Sequence, residues 1–162
     1  MRCRVRRPGE GFSLIELLVT LSLLALLATL VVPLAQVQWQ RQKEQELRRA
    51  LVEIRQALDA YRDATQRGAI GKSATGNDYP PDLQTLVDGV EDQQHPQRRK
   101  LYFLRRLPRD PFFQDPQTEA AATWGLRSYE SSAEDPQPGA DVYDVYSQSS
   151  IQGLNGVPLR QW

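Results

Sequence analysis

Glu16 is the one charged side chain in "FSLIELLVTLSLLALLATLVVPLA", residues 12–35. A carboxylate in hydrocarbon costs about 2.5–3.5 kcal/mol even on insertion-based scales, so it must be paired or put to use. The residues just before it suggest how. The small-residue junction "GEG" followed by Phe precedes the apolar run, whereas an ordinary secretory signal is cut after it. Hydrolysis between Gly11 and Phe12 would leave the run intact and turn the Phe12 nitrogen into an ammonium, one helical turn from Glu16. There the carboxylate complements the helix dipole. It can neutralise the ammonium of its own chain or of a neighbour in a packed array. A buried charge is tolerable when paired and costly once its partner is gone, so Glu16 would report on assembly.

No other constellation offers chemistry. His95 is the sole histidine, set in the polar run "EDQQHPQRRK", and reads as a solvated loop residue. Cys3 is the sole cysteine, which excludes an intramolecular disulfide. There is no glycine-rich phosphate loop, no zinc-ligand spacing and no nucleophile motif, so an enzyme is not expected.

The elements that must position Glu16 are legible around it. At 1.5 Å per residue, 24 helical residues span about 36 Å, enough for a bilayer core of about 30 Å. Arg2, Arg4, Arg6 and Arg7 precede the segment and place that end in the cytoplasm. Arg41, Lys43, Arg48 and Arg49 on the other flank weaken the signal, interleaved with Glu44 and Glu46. Pro33 removes a backbone hydrogen bond from a helix interior and predicts a bend or a loosened turn.

Beyond Pro33, Leu47, Leu51, Ile54, Leu58 and Tyr61 alternate steps of four and three, one apolar stripe with Gly68 as a stop. A helix from Phe12 to about residue 67 would be about 84 Å long. The stripe covers barely two heptads, too few for a coiled coil, so it should pack on the chain's own C-terminal part. "QRGAIGKSATGNDYPPD" reads as a loop and "PPDLQTLVDG" as a short helix with Leu83, Leu86 and Val87 inward, closed by Gly89. "WGLRSY" (124–129) and "DVYDVYS" (141–147) read as strands flanking the polar turn "ESSAEDPQPGA". The tail "QGLNGVPLRQW" is loop-like, its tryptophan covering the sheet or contacting a neighbour. These elements predict an α+β body, a small antiparallel sheet on a long helix.

Charge patterning narrows the partners. Removing residues 1–11, with four arginines and one glutamate, takes the 20 basic and 20 acidic side chains to 16 and 19, a net charge of −3. Arg98, Arg99, Lys100, Arg105, Arg106 and Arg109, with Tyr102 and Phe103 interleaved, form the one cluster where DNA contact could be argued. On an acidic body, a solvated or subunit-facing surface is the expectation, with no nucleic-acid partner.

The stretch "GFSLIELLVTLSLLALLATLVVP" resembles the prepilin-type N-terminus of type IV pilins and type II secretion pseudopilins. "YPPDLQTL", "LRRLPRDPF", "WGLRSYE" and "DVYDVYSQSSIQGLNGVPLRQW" are similar, in order, to blocks of the G-type major pseudopilins. The resemblance implies a type IV pilin-like fold with four parts: a leader (1–11), a transmembrane and filament-core helix (12–35), its continuation as a spine (36–67), and a periplasmic α+β domain (68–162). It implies cleavage between Gly11 and Phe12 by a prepilin peptidase, N-methylation of Phe12, alignment of subunits by Glu16 and a bend at Pro33. It further implies inner-membrane anchoring before assembly, a helical homo-oligomeric filament with minor pseudopilins, and extraction by an inner-membrane platform and its ATPase. Relatives commonly bind calcium after the last strand, but Ser150 and Asn155 stand where they carry aspartate. The loop from Ser147 to Asn155 offers only hydroxyls, amides and carbonyls. Asp141 and Asp144 are the nearest candidate ligands, and no tight calcium site is expected.

Three functions are thus open: a pseudopilin of a secretion filament, a minor type IV pilin serving adhesion, motility or DNA uptake, and a membrane-anchored binding module. The missing cysteines weigh against the pilin, since many pilins close their C-terminal region with a disulfide.

Overall fold

A computed structural model describes residues 11–72 and 77–162. Residues 1–10 of the expected leader, residues 73–76 of the expected loop, and the side chains of residues 30–33, Pro33 among them, lie outside the described residues. The chain divides into two compact units, one ending at Gln40 and the other Arg41–Trp162. Helix α1, Leu14–Gln66, contributes to both.

In the first unit α1 presents a span long and apolar enough to cross a membrane, none of it buried by protein. Its hydroxyls fold back on their own helix. Thr20 donates to the Leu17 carbonyl at 3.0 Å, Ser22 to Leu18 at 2.8 Å and Thr29 to Leu26 at 2.7 Å. Hydrocarbon offers such groups no water, so these bonds let the polar side chains sit in a bilayer.

The second unit is built on the predicted stripe. Leu47, Leu51, Ile54, Leu58 and Tyr61 are all buried, joined by Ala50, Ala57 and Ala64, whose small side chains let other elements approach α1 closely. Gly68 adopts φ +71° and its N–H donates to the Thr65 carbonyl at 2.9 Å, which stops the helix where the sequence predicts. Helix α2, Gln84–Asp88, is the predicted short helix, with Leu83 and Leu86 buried and Val87 half-buried. Asp82 accepts the Thr85 N–H at 2.7 Å at its start, and Gly89, at φ +74°, closes it.

Among the described residues four strands form two antiparallel pairs: β1 (Val90–Glu91) with β2 (Lys100–Leu101), and β3 (Trp124–Arg127) with β4 (Asp144–Ser147). The second pair is the expected one, but shorter than its sequence pattern. Asp141 accepts the Tyr129 N–H, and the Val142 N–H goes to the Pro80 carbonyl, so residues 141–142 leave the ladder. The first pair falls within a stretch expected to be loop; two residues per strand are too few for alternation to register. In the β3–β4 register Gly125 opposes Tyr146, and a Cβ there would come within 2.3 Å of the tyrosine ring. Val142, Val145, Trp124 and Leu159 complete the core against α1. The tail, expected to be loop-like, adds a turn of 3-10 helix at Leu159–Gln161 and packs Trp162 beneath the Arg48 guanidinium, 4.4 Å from the ring centroid.

Candidate processing and assembly site

The start of α1 is set by four residues. Gly11 and Phe12 are exposed and lie ahead of the helix, and Ser13 receives the Glu16 N–H on its hydroxyl at 3.3 Å. The Ser13 carbonyl takes the Leu17 N–H at 3.1 Å. Ser13 is therefore the N-cap and Glu16 the third helical residue, the serine-to-glutamate spacing of a capping box. Glu16 is the acidic residue of the first turn, where a carboxylate offsets the positive end of the helix dipole. The sequence reading did not use Ser13, although "SLIE" is an N-terminal helix signature. Among the described residues a Cβ on Gly11 would meet nothing within 4 Å, and none of them covers the exposed Gly11–Phe12 peptide.

The C-terminal loop shows a different chemistry. The Ser147 hydroxyl, fully buried, donates to Asp110 Oδ2 at 2.5 Å and accepts the Ser149 N–H at 3.1 Å. Ser149 Oγ accepts the Ile151 N–H, and Asn155 Oδ1 accepts the Val157 N–H. The two candidate carboxylates are held elsewhere. Asp141 accepts from Asn77 Nδ2 at 2.6 Å and from the Tyr129 N–H at 3.0 Å. Asp144 pairs with Arg55 at 2.8 Å and Arg127 at 3.6 Å. Calcium takes six to eight oxygens with carboxylates among them, and the two nearest carboxylates are committed to the chain's own donors. Among the described residues no group of three or more His, Cys, Asp or Glu could hold a metal.

Two buried acids escaped the sequence reading. Asp110 bridges Ser147 Oγ and the Phe112 N–H. Glu44 accepts the Leu154 N–H at 2.8 Å. Neither motif nor spacing marks them; their partners lie 37 and 110 positions away.

The basic cluster is partly structural. Lys100 donates to the Asp88 carbonyl, Arg98 lies 3.8 Å from Glu91, and Arg109 clasps the carbonyls of Asp115 and Thr118. Asp115, in that turn, accepts from the Thr118 hydroxyl and the Gln117 N–H, which hold its carboxyl below the ordinary range. His95 accepts the Gln97 N–H on Nδ1, as a turn residue.

The model for the prokaryotic N-terminal methylation motif matches residues 6–32. The chain is similar to "type II secretion system core protein G" of Pseudomonas aeruginosa, at 31% identity over 84% of this chain and 92% of that one. It is likewise similar to the proteins of that name from Klebsiella michiganensis, 29% identical over 84% and 91%, and Dickeya chrysanthemi, 27% identical over 85% and 85%. No solved structure matches.

Proposed function

The chain belongs to the family of type II secretion system core protein G, and from that premise we propose that it is inserted in the inner membrane, cut between Gly11 and Phe12, and polymerised into a periplasmic filament. As a pseudopilin subunit it falls within the first of the functions left open by the sequence. Its role is mechanical rather than catalytic.

The observation that carries this reading is the start of α1. An accessible Gly11–Phe12 peptide is followed at once by a serine cap and a first-turn glutamate, within the matched methylation motif. Prepilin peptidase hydrolyses that peptide, and the Phe12 nitrogen it frees is the site of methylation. The carboxylate of Glu16 then selects the register of assembly. Before assembly no adjacent copy neutralises it, and a charge within an apolar segment carries a cost. In the filament the Phe12 ammonium of an adjacent copy neutralises it, and only the register that brings the two together removes the penalty. Pro33 allows the helix to loosen as subunits bundle. Minor pseudopilins, the inner-membrane platform and its ATPase are the remaining partners, and the second unit projects into the periplasm. The C-terminal loop works without calcium.

The experiment is a clean deletion of this chain, comparing secreted proteins and surface pili with the parent strain. Loss of specific exoproteins with pili intact is the predicted outcome. Normal secretion with lost pili or motility contradicts it.

A further inference from the structure

Residues 148–158, "QSSIQGLNGVP", carry no charged side chain, yet the stretch is closely held. The Leu159 N–H donates to the Ile151 carbonyl at 3.0 Å and the Gly153 N–H to Val157 at 2.9 Å, while Gln152 and Pro158 form an antiparallel bridge. Gly156, at φ +80°, turns the tip. Within this hairpin Ile151, Leu154 and Val157 stay 45%, 44% and 37% exposed. Ile151 also lines a groove of about 400 Å³ with Phe112 and Phe113. Asp115 lies on the rim of that groove, its carboxylate taken up by the Thr118 hydroxyl and the Gln117 N–H.

Two contacts fix this surface, apolar at the hairpin tip and the two phenylalanines and polar over the rest of the groove wall, to one turn of α1. Lys43 Nζ stands 5.7 Å over the Phe112 ring, and Glu44 accepts the Leu154 N–H. In the chain that turn follows the apolar run closely. Trp39, an exposed tryptophan of the kind that settles at headgroup level, stands four residues beyond Ala35. Five residues lead from Trp39 to Glu44, and even fully extended they reach at most about 18 Å. Arg41 and Lys43 between them supply the charge that anionic headgroups attract. An uncharged hairpin adds no repulsion from such lipids.

We propose that the hairpin tip and the Phe112–Phe113 groove form a foot that rests in the headgroup layer of an anionic bilayer until the subunit is drawn into the filament. The inference rests on the membrane-anchored precursor of the preceding section. Single cysteines replace Leu154, Glu134 and Leu24 one at a time in the full chain carrying Cys3→Ser. Each is spin-labelled and reconstituted in vesicles of phosphatidylethanolamine and phosphatidylglycerol. The ratio of oxygen to nickel-chelate accessibility at Leu154→Cys should exceed that at Glu134→Cys severalfold, and fall when phosphatidylcholine replaces the anionic lipid. Equal ratios at the two positions, with Leu24→Cys reporting hydrocarbon, overturn the foot and leave the anchor standing. Exclusion of both reagents from Leu154→Cys that grows with protein-to-lipid ratio overturns it in favour of a second copy of the chain. A water-exposed Leu24→Cys removes the anchor and the foot together.

Discussion

The backbone N–H of Leu154 donates to the carboxylate of Glu44 at 2.8 Å, joining residues 110 positions apart. Glu44 is 6% exposed, so an acid on the spine helix is buried in order to receive this loop. With Asp110 on Ser147, protein carboxylates from two distant segments brace the C-terminal region.

Glu44→Ala leaves the Leu154 N–H without its acceptor and should lower unfolding stability by about 1–3 kcal/mol, while Glu44→Gln, which keeps an acceptor oxygen, should lose less. Chemical denaturation of the detergent-solubilised chain measures both. Neither calcium nor a chelator should move the midpoint of the parent protein. A calcium-dependent rise would show that the loop's oxygens are free to rearrange.

Arg55 is a second tie. Its guanidinium reaches Asp144 Oδ1 at 2.8 Å, the Val145 carbonyl at 3.2 Å and the main-chain oxygen of Trp162 at 2.7 Å. The side chain is 38% exposed, which weakens the ion pair by solvent screening. Arg55→Ala should cost about 1–2 kcal/mol. Arg55→Lys keeps the charge but not the planar fork and should recover only part of the loss. Protease sensitivity of the tail beyond Leu159 should rise in parallel.

Burial raises the phenol pKa of Tyr61 above 10.0, helped by the Asp82 charge. Burial does the same to Tyr79, opposed in part by Arg62. Folding thus favours the neutral phenols. Their contribution is complete below pH 10 and is lost as pH rises through the folded-state values. Stability measured by denaturation should fall across that alkaline window, and Tyr61→Phe should shrink the fall.

How much of this was legible in the sequence depends on how far apart the partners lie. The stripe from Leu47 to Tyr61 is a local pattern, since a helix repeats every 3.6 residues and the buried face can be counted off the chain. Gly68 and Gly89 were legible because a positive φ at a helix end favours glycine. Glu44 and Asp110 were not. A carboxylate among lysines and arginines reads as solvated surface, and only the fold brings Leu154 and Ser147 to them. Asp141 and Asp144 were nearest the loop in sequence, but Asn77, Tyr129, Arg55 and Arg127 claim them in space. At the candidate processing site, Gly11, Phe12 and Glu16 stood out by composition, and the Ser13 cap lay between them unused.

A bulky residue at position 11 separates processing from folding. Among the described residues a Cβ at Gly11 meets nothing within 4 Å, so Gly11→Val should leave the fold unchanged. Cleavage should fail, and intact mass of the membrane-bound protein should retain the leader. A shortened, methylated product from Gly11→Val would contradict the assigned junction.

The central claim is that Glu16 aligns subunits through the Phe12 ammonium of a neighbour, and filament yield of Glu16→Ala against the parent chain tests it most directly. The account predicts that the variant inserts and is processed normally, since removing a charge eases insertion, but forms few or no filaments and fails to restore secretion in the deletion strain. Filaments at parental yield from a processed Glu16→Ala chain would contradict it.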